Sequence, residues 1–161
     1  PHELEDKNGL IIPGGESTTI GKLAVTYGLM EPLRRFAETR PVWGTCAGMI
    51  FMAKEVWEDQ PLLGIMDISV ERNAFGRQVD SFETDVHVDV LDNGKSDPFP
   101  GVFIRAPKIA GAEGDAKIIA ELEDGSAVAA QQGKWLVTSF HPELTDDVRF
   151  HRYFLGLAED R

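Results

Sequence analysis

The sequence predicts an α/β fold, and three observations carry that reading. A short apolar run, Leu10-Ile11-Ile12, is bounded by Gly9 and Pro13 and leads through a glycine-rich loop into a helical stretch. A second short strand, Pro41-Val42-Trp43, leads through the small-residue turn Gly44-Thr45-Cys46-Ala47-Gly48 into another helical stretch. The middle of the chain reads as strands, and a helical pattern closes it.

Taken in order, the loop Gly14-Gly15-Glu16-Ser17-Thr18-Thr19 precedes a helix whose apolar positions are Ile20, Leu23, Ala24 and Tyr27, with Ser17 or Thr18 as its cap. Gly28 ends it. A second helix spans residues 31–39, with Pro32 suited to its first turn. A third spans residues 49–57, with Ile50, Phe51, Ala53 and Val56 apolar. Residues 63–71 read as a strand. Residues 84–90 alternate strictly, which predicts a half-exposed strand, and residues 102–105 form another. Residues 117–122, 127–131 and 135–140 read as a meander. Residues 146–159 close the chain as a helix capped by Thr145, with Val148, Phe150, Phe154, Leu155 and Leu157 on its apolar side.

The length, 161 residues, predicts one domain over 1–161, and no repeat, low-complexity segment or linker divides it. Lys plus Arg number 16 and Asp plus Glu 27, a net charge of −11. An acidic chain without basic clusters argues against nucleic acid or an anionic membrane as partner. No apolar run is long enough to span a bilayer, and no signal-peptide pattern opens the chain. The single cysteine, Cys46, cannot form an internal disulfide, which makes a reducing cytoplasm the expected setting.

Cys46 carries the chemistry. A residue between small neighbours at a strand-to-helix turn is pushed outward, as in the G-x-S-x-G nucleophile elbow, here with Cys in place of Ser. The following helix directs its N-terminus at the sulfur and favours the thiolate. The Ala47 amide points the same way and suits an oxyanion. The competing reading is a buried structural cysteine. A thiolate nucleophile needs a base, and the base an orienting partner. Of the four histidines, His2 lies in a frayed terminus, and His87 and His151 are expected to face solvent. His141 follows the strand 135–140 and stands two residues before Glu143, whose carboxylate suits the second imidazole N–H. The alternative is a turn histidine beside a surface glutamate. The loop Pro13-Gly14-Gly15-Glu16-Ser17 lacks the lysine of a P-loop and the full G-x-G-x-x-G pattern, so an oxyanion loop facing Cys46 is preferred to a phosphate cradle, with a plain turn as the remaining alternative.

Together these stretches resemble the class I, triad-type glutamine amidotransferases. The carrying residues are Pro13-Gly14-Gly15-Glu16-Ser17-Thr18, Gly44-Thr45-Cys46-Ala47-Gly48 and Ser139-Phe140-His141-Pro142-Glu143-Leu144. Within that family the likeness is strongest to the glutaminase subunits of pyridoxal 5′-phosphate synthases, through residues 70–78, Asp80-Ser81-Phe82-Glu83 and Phe103-Ile104-Arg105-Ala106-Pro107. The likeness covers essentially the whole chain. It implies a three-layer, flavodoxin-like architecture, a mostly parallel sheet flanked by helices. Family members place a strand, a helix and a second strand before this glycine loop. Only twelve residues precede Pro13, so the first strand and helix are expected to be missing.

The resemblance also implies a site. Cys46, His141 and Glu143 form the catalytic triad, and Gly15 and Ala47 the oxyanion hole. Gly15, Glu16, Ser17, Arg72, Ile104 and Arg105 bind L-glutamine, an arginine suiting the α-carboxylate through its bidentate fork. Ordinary surface arginines are the competing reading for Arg72 and Arg105, and the preferred one for Arg77. The implied reaction hydrolyses glutamine to glutamate and ammonia through a glutamyl thioester, with no metal and no bound cofactor. Pyridoxal phosphate is a product of the complex. The implied partner is a (β/α)₈-barrel synthase subunit in a large hetero-oligomer. Two rivals stand beside it: a glutaminase serving a different synthase, and an inactive regulatory module on the same fold.

Overall fold

The computed structural model describes residues 1–75, 80–91, 95 and 97–159. A single 3₁₀ turn, His2–Leu4, precedes strand β1 (Leu10–Ile12), and helices α1 (Ser17–Thr26) and α2 (Met30–Thr39) follow. Strand β2 (Val42–Thr45) then runs through Cys46 into the short helix α3 (Ala47–Met52). Strands β3 (Ala53–Val56), β4 (Met66–Glu71), β5 (Ser81–Val88), β6 (Phe99–Ile104), β7 (Lys108–Ala112), β8 (Lys117–Glu121), β9 (Ala127–Gln132) and β10 (Trp135–Thr138) come next. A 3₁₀ turn, Pro142–Leu144, and helix α4 (Arg149–Glu159) complete the described elements.

The α/β class holds. The sheet, however, is mixed rather than mostly parallel. Its strands run in the order β1-β2-β10-β9-β7-β4-β3, with β8 pairing β9, β5 pairing β8, and β6 pairing β5. Among the described residues β1–β2, β2–β10 and β3–β4 are parallel, and the other pairings are antiparallel. The antiparallel part follows from the short loops between β6 and β10, which leave no room for crossover helices.

Side-chain alternation makes both faces of the sheet apolar. Val42 and Val137 join Phe36, Ala37, Ile50 and Phe51 from α2 and α3 on one face. Their neighbours Trp43 and Leu136 join Phe150 and Phe154 of α4 on the other. That places helices on both sides of the sheet, the three expected layers. On the α4 side Phe99, Phe140 and Phe150 meet at centroid separations of 4.9 to 5.8 Å, and each such pair adds about 0.5–1.5 kcal/mol beyond area burial. The indole N–H of buried Trp43 donates to Thr138 Oγ1 at 3.2 Å, which ties β2 to β10 just before the turn at Cys46.

Several sequence expectations are corrected locally. The expected helix over 49–57 ends at Met52, because Ala53 turns extended and the chain enters β3 beside β4. Helix α1 is capped by Glu16, not by Ser17 or Thr18: the Glu16 carboxylate accepts from the amides of Thr18 and Thr19 at 3.0 and 2.7 Å. Among the apolar positions read in the helices, Leu23, Tyr27, Val148 and Leu155 are exposed. Helix α4 starts at Arg149, three residues later than expected. Thr145 Oγ1 donates to the Pro142 carbonyl, and Asp147 accepts from the Arg149 amide. Strand β7 was not foreseen. His151 is half-buried and lies edge-on to Trp43 at 5.0 Å, not in solvent. His2 and His87 are exposed as expected. No helix among the described residues is long and apolar enough to cross a membrane.

Candidate active site

Cys46 stands where β2 meets α3, with φ +50° and ψ −108°. A non-glycine residue held there costs about 1–3 kcal/mol, and the surroundings enforce it. The Cys46 amide donates to the Thr138 carbonyl at 2.8 Å, and its carbonyl accepts from Met49 and Ile50. The two flanking glycines are required by contact. A β-carbon on Gly48 would lie 2.0 Å from the Ile12 carbonyl oxygen, and one on Gly44 would lie 2.6 Å from Gly48 itself. Strand β1, strand β2 and helix α3 therefore approach as closely as backbones allow. Cys46 is left 8% exposed, its thiol directed at the Ile104 carbonyl at 3.9 Å.

His141 reaches the thiol from the far side of the chain. Its backbone N–H donates to the Val102 carbonyl at 2.9 Å, and Pro142 starts the 3₁₀ turn that carries Glu143. The imidazole Nδ1 pairs with Glu143 Oε1 at 2.6 Å. The ring and the Cys46 side chain line the same cavity, and both come within 3.5 Å of where a Gly14 β-carbon would stand. Interaction with the Cys46 side chain is the main cause that raises the imidazole pKa from 6.5 to about 9. Burial opposes it, and Glu143 adds to it. An imidazolium beside the sulfur puts a proton donor at the cavity. Gly14 packs against this ring: a β-carbon there would stand 2.7 Å from Cε1.

These residues open onto a cavity of about 520 Å³. Gly15, Ala47, Glu16, Ser17, Arg72, Ile104 and Arg105, all foreseen from the sequence, line it together with Cys46 and His141. Gly15 adopts φ +141°, a conformation that only glycine takes readily, and a β-carbon there would meet nothing within 4 Å. Ala47 is the first residue of α3, so its amide has no intrahelical acceptor. The carboxylate of Glu16 caps α1 and also pairs with Arg72 Nη2 at 3.3 Å. Its hydrogen bonds, first that from the Thr19 hydroxyl, hold its pKa down to about 2. Arg105 (φ +42°) and Asn73 (φ +47°) both sit in left-handed backbone at the cavity rim.

The two stretches that marked the subfamily are bound to each other. Ala74 N–H donates to the Ala106 carbonyl at 3.2 Å, and Phe75 packs edge-on against Phe82 and Phe103. Arg72, Ile104 and Arg105, which flank these contacts, line the same cavity. Asn73, Pro107 and Ile50 also line the cavity and were not foreseen as site residues. For Asn73 and Pro107 the signal was present, since both lie inside the quoted stretches. Gly76, Arg77 and Gln78 lie outside the described residues. Among the described residues no group of three or more His, Cys, Asp or Glu converges as a metal site.

A model of the SNO glutamine amidotransferase family matches residues 1–159. The "Pyridoxal 5'-phosphate synthase subunit PdxT" of Herpetosiphon aurantiacus is 58% identical over 162 residues, covering 98% of this chain and 84% of that protein. The protein of the same name from Pelotomaculum thermopropionicum is 55% identical over 157 residues, covering 96% and 78%. A crystal structure described as a glutamine amidotransferase superposes with a TM-score of 0.90 at 50% identity, covering 98% of this chain and 82% of its own. A glutamine amidotransferase from Thermotoga maritima shares the fold, with a TM-score of 0.57 at 18% identity over 97% of this chain and 72% of its own.

Proposed function

The chain belongs to the SNO glutamine amidotransferase family, and on that premise we propose that it is the glutaminase subunit of a pyridoxal 5′-phosphate synthase, with Cys46 as nucleophile. The observation that supports the reading is that Cys46 and His141 line one cavity while Glu143 holds Nδ1 of His141 at 2.6 Å.

In this mechanism L-glutamine enters with its side-chain amide over Cys46, and its α-carboxylate meets Arg72 and Arg105. The thiolate attacks the amide carbon and the carbonyl becomes an oxyanion, held by the amides of Gly15 and Ala47. The His141 imidazolium gives its proton to the departing nitrogen, which leaves as ammonia. A glutamyl thioester remains on Cys46. Neutral His141 then takes a proton from water. The hydroxide attacks the thioester carbon, the C–S bond breaks, and glutamate leaves. Thiolate and imidazolium are restored, and the sum is glutamine plus water to glutamate plus ammonia. Glu143 keeps Nδ1 protonated throughout, so that the reacting nitrogen faces the sulfur.

Ammonia set free in bulk water would be protonated and diluted, which favours delivery to a docked partner. The names of the similar proteins point to pyridoxal phosphate formation. The partner in this reading is the synthase component of that complex, a (β/α)₈ barrel in a large hetero-oligomer. A cytoplasmic setting fits a catalytic thiol that must stay reduced. The test mixes the full-length protein with the synthase component of the same source and follows glutamate release from L-glutamine. Release that requires Cys46 and rises on docking is expected. No release in the complex would favour an inactive module, and stimulation only by a different ammonia-using synthase would favour the other rival.

A further inference from the structure

We propose that Gln60 is the residue that positions Arg72 for the substrate carboxylate, an inference that rests on the glutamine-binding reading above. Gln60 lies in the segment between β3 and β4, outside the cavity wall. Its Oε1 accepts from three sides at once: Arg72 Nη1 at 3.3 Å, Ser17 Oγ at 3.2 Å and Thr18 Oγ1 at 3.4 Å. The guanidinium can only donate, so the amide oxygen must face it. That orientation leaves the buried Nε2 without a partner. Burying an unpaired amide N–H₂ is costly, and the fold tolerates this to keep an oxygen at the junction of Arg72 and the α1 N-terminus.

The segment itself is held firmly. A β-carbon on Gly21 of α1 would fall 2.4 Å from the Pro61 carbonyl, so α1 rests directly on the residue after Gln60. Leu63 N–H donates to the Phe51 carbonyl at 2.7 Å, and Arg34 Nε donates to the Leu63 carbonyl at 2.9 Å. Gln60 is thus a fixed acceptor on rigid backbone. Glu16 takes Nη2 of Arg72 while Gln60 takes Nη1, and the pair holds the fork in one plane. Glu16 carries charge and Gln60 does not. Glu16 already balances the Arg72 charge, so a second carboxylate at position 60 would make the group net negative and repel the incoming carboxylate, which a neutral amide does not.

The test uses the full-length protein docked to its synthase partner, with L-glutamine as substrate. Gln60→Leu is expected to raise KM about tenfold while kcat changes less than about threefold. In an Arg72→Ala background, adding Gln60→Leu should change KM less than about twofold, since the group it positions is gone. The near-isosteric Gln60→Glu keeps the fold and should also raise KM. Calorimetric binding of L-glutamine in a Cys46→Ala background should show the same tenfold weakening with Gln60→Leu, without any need for turnover. An unchanged KM and Kd in Gln60→Leu, or an equal loss in both Arg72 backgrounds, would overturn the role of Gln60. A wild-type complex that neither binds nor hydrolyses L-glutamine would instead overturn the glutamine reading itself.

Discussion

Gly14 stands so close to His141 that a single β-carbon on it would lie 2.7 Å from the imidazole Cε1. The glycine loop and the histidine turn, over a hundred residues apart in sequence, are in van der Waals register. Gly14 does not adopt a positive φ, so alanine is allowed there by the backbone, and only the ring must move.

Gly14→Ala is therefore expected to act on catalysis more than on stability. Displacing the ring by a fraction of an ångström away from Cys46 should lower kcat/KM about 100-fold. The thermal midpoint should move by only a few degrees. Steady-state kinetics and calorimetry on the same preparation check this. A large loss of midpoint with proportionate loss of activity would place Gly14 in the fold alone.

Gly48→Ala should do the reverse. Its β-carbon would lie 2.0 Å from the Ile12 carbonyl oxygen, a backbone atom that cannot swing aside. Overpacking of this kind costs about 1–3 kcal/mol or more. Urea unfolding of the variant should show a lower midpoint with an unchanged slope, and β1 should loosen first in hydrogen exchange.

The pH dependence follows from His141. Its pKa is raised from 6.5 to about 9 in the folded protein, so the native state holds the proton more tightly than the unfolded chain. The stabilisation is complete below about pH 6.5 and is lost as pH rises through about 9. Catalysis through an imidazolium should show an alkaline limb in kcat/KM near the same value. Glu143→Gln removes the negative charge at Nδ1 and should move that limb to lower pH. It should also lower kcat less than His141→Asn does, because Glu143 orients the ring and His141 moves the proton. A limb that stays in place in Glu143→Gln would remove Glu143 from the relay.

How much of this was legible in the chain depended on how local the cause was. The elbow at Cys46 could be read because its Gly44-Thr45-Cys46-Ala47-Gly48 spacing lies within one strand–turn–helix unit, although the contact that requires Gly48 comes from Ile12 of β1. The residues expected at the site could be gathered because short motifs carry them, and all of them but Glu143 line one cavity. Helix α3 was misjudged in length because residues 47–53 are buried all round, and a segment without a polar face has no period to mark its end. Strand β7, Lys-Ile-Ala-Gly-Ala, has weak β-propensity and exists because β4 and β9 pair with it. The short loops between β6 and β10 encode part of the mixed sheet direction locally, but the pairing of β4 with β7 joins segments that no local pattern links. Glutamate is an uncommon N-cap, so the dual use of Glu16 by α1 and Arg72 was hidden as well.

The central claim, that Cys46 attacks the glutamine amide, is tested most directly by glutamate release from L-glutamine in the docked full-length protein, wild type against Cys46→Ala. The account predicts turnover in the wild type and none above background in Cys46→Ala, with docking to the synthase partner preserved. Turnover in Cys46→Ala approaching the wild-type rate would contradict it.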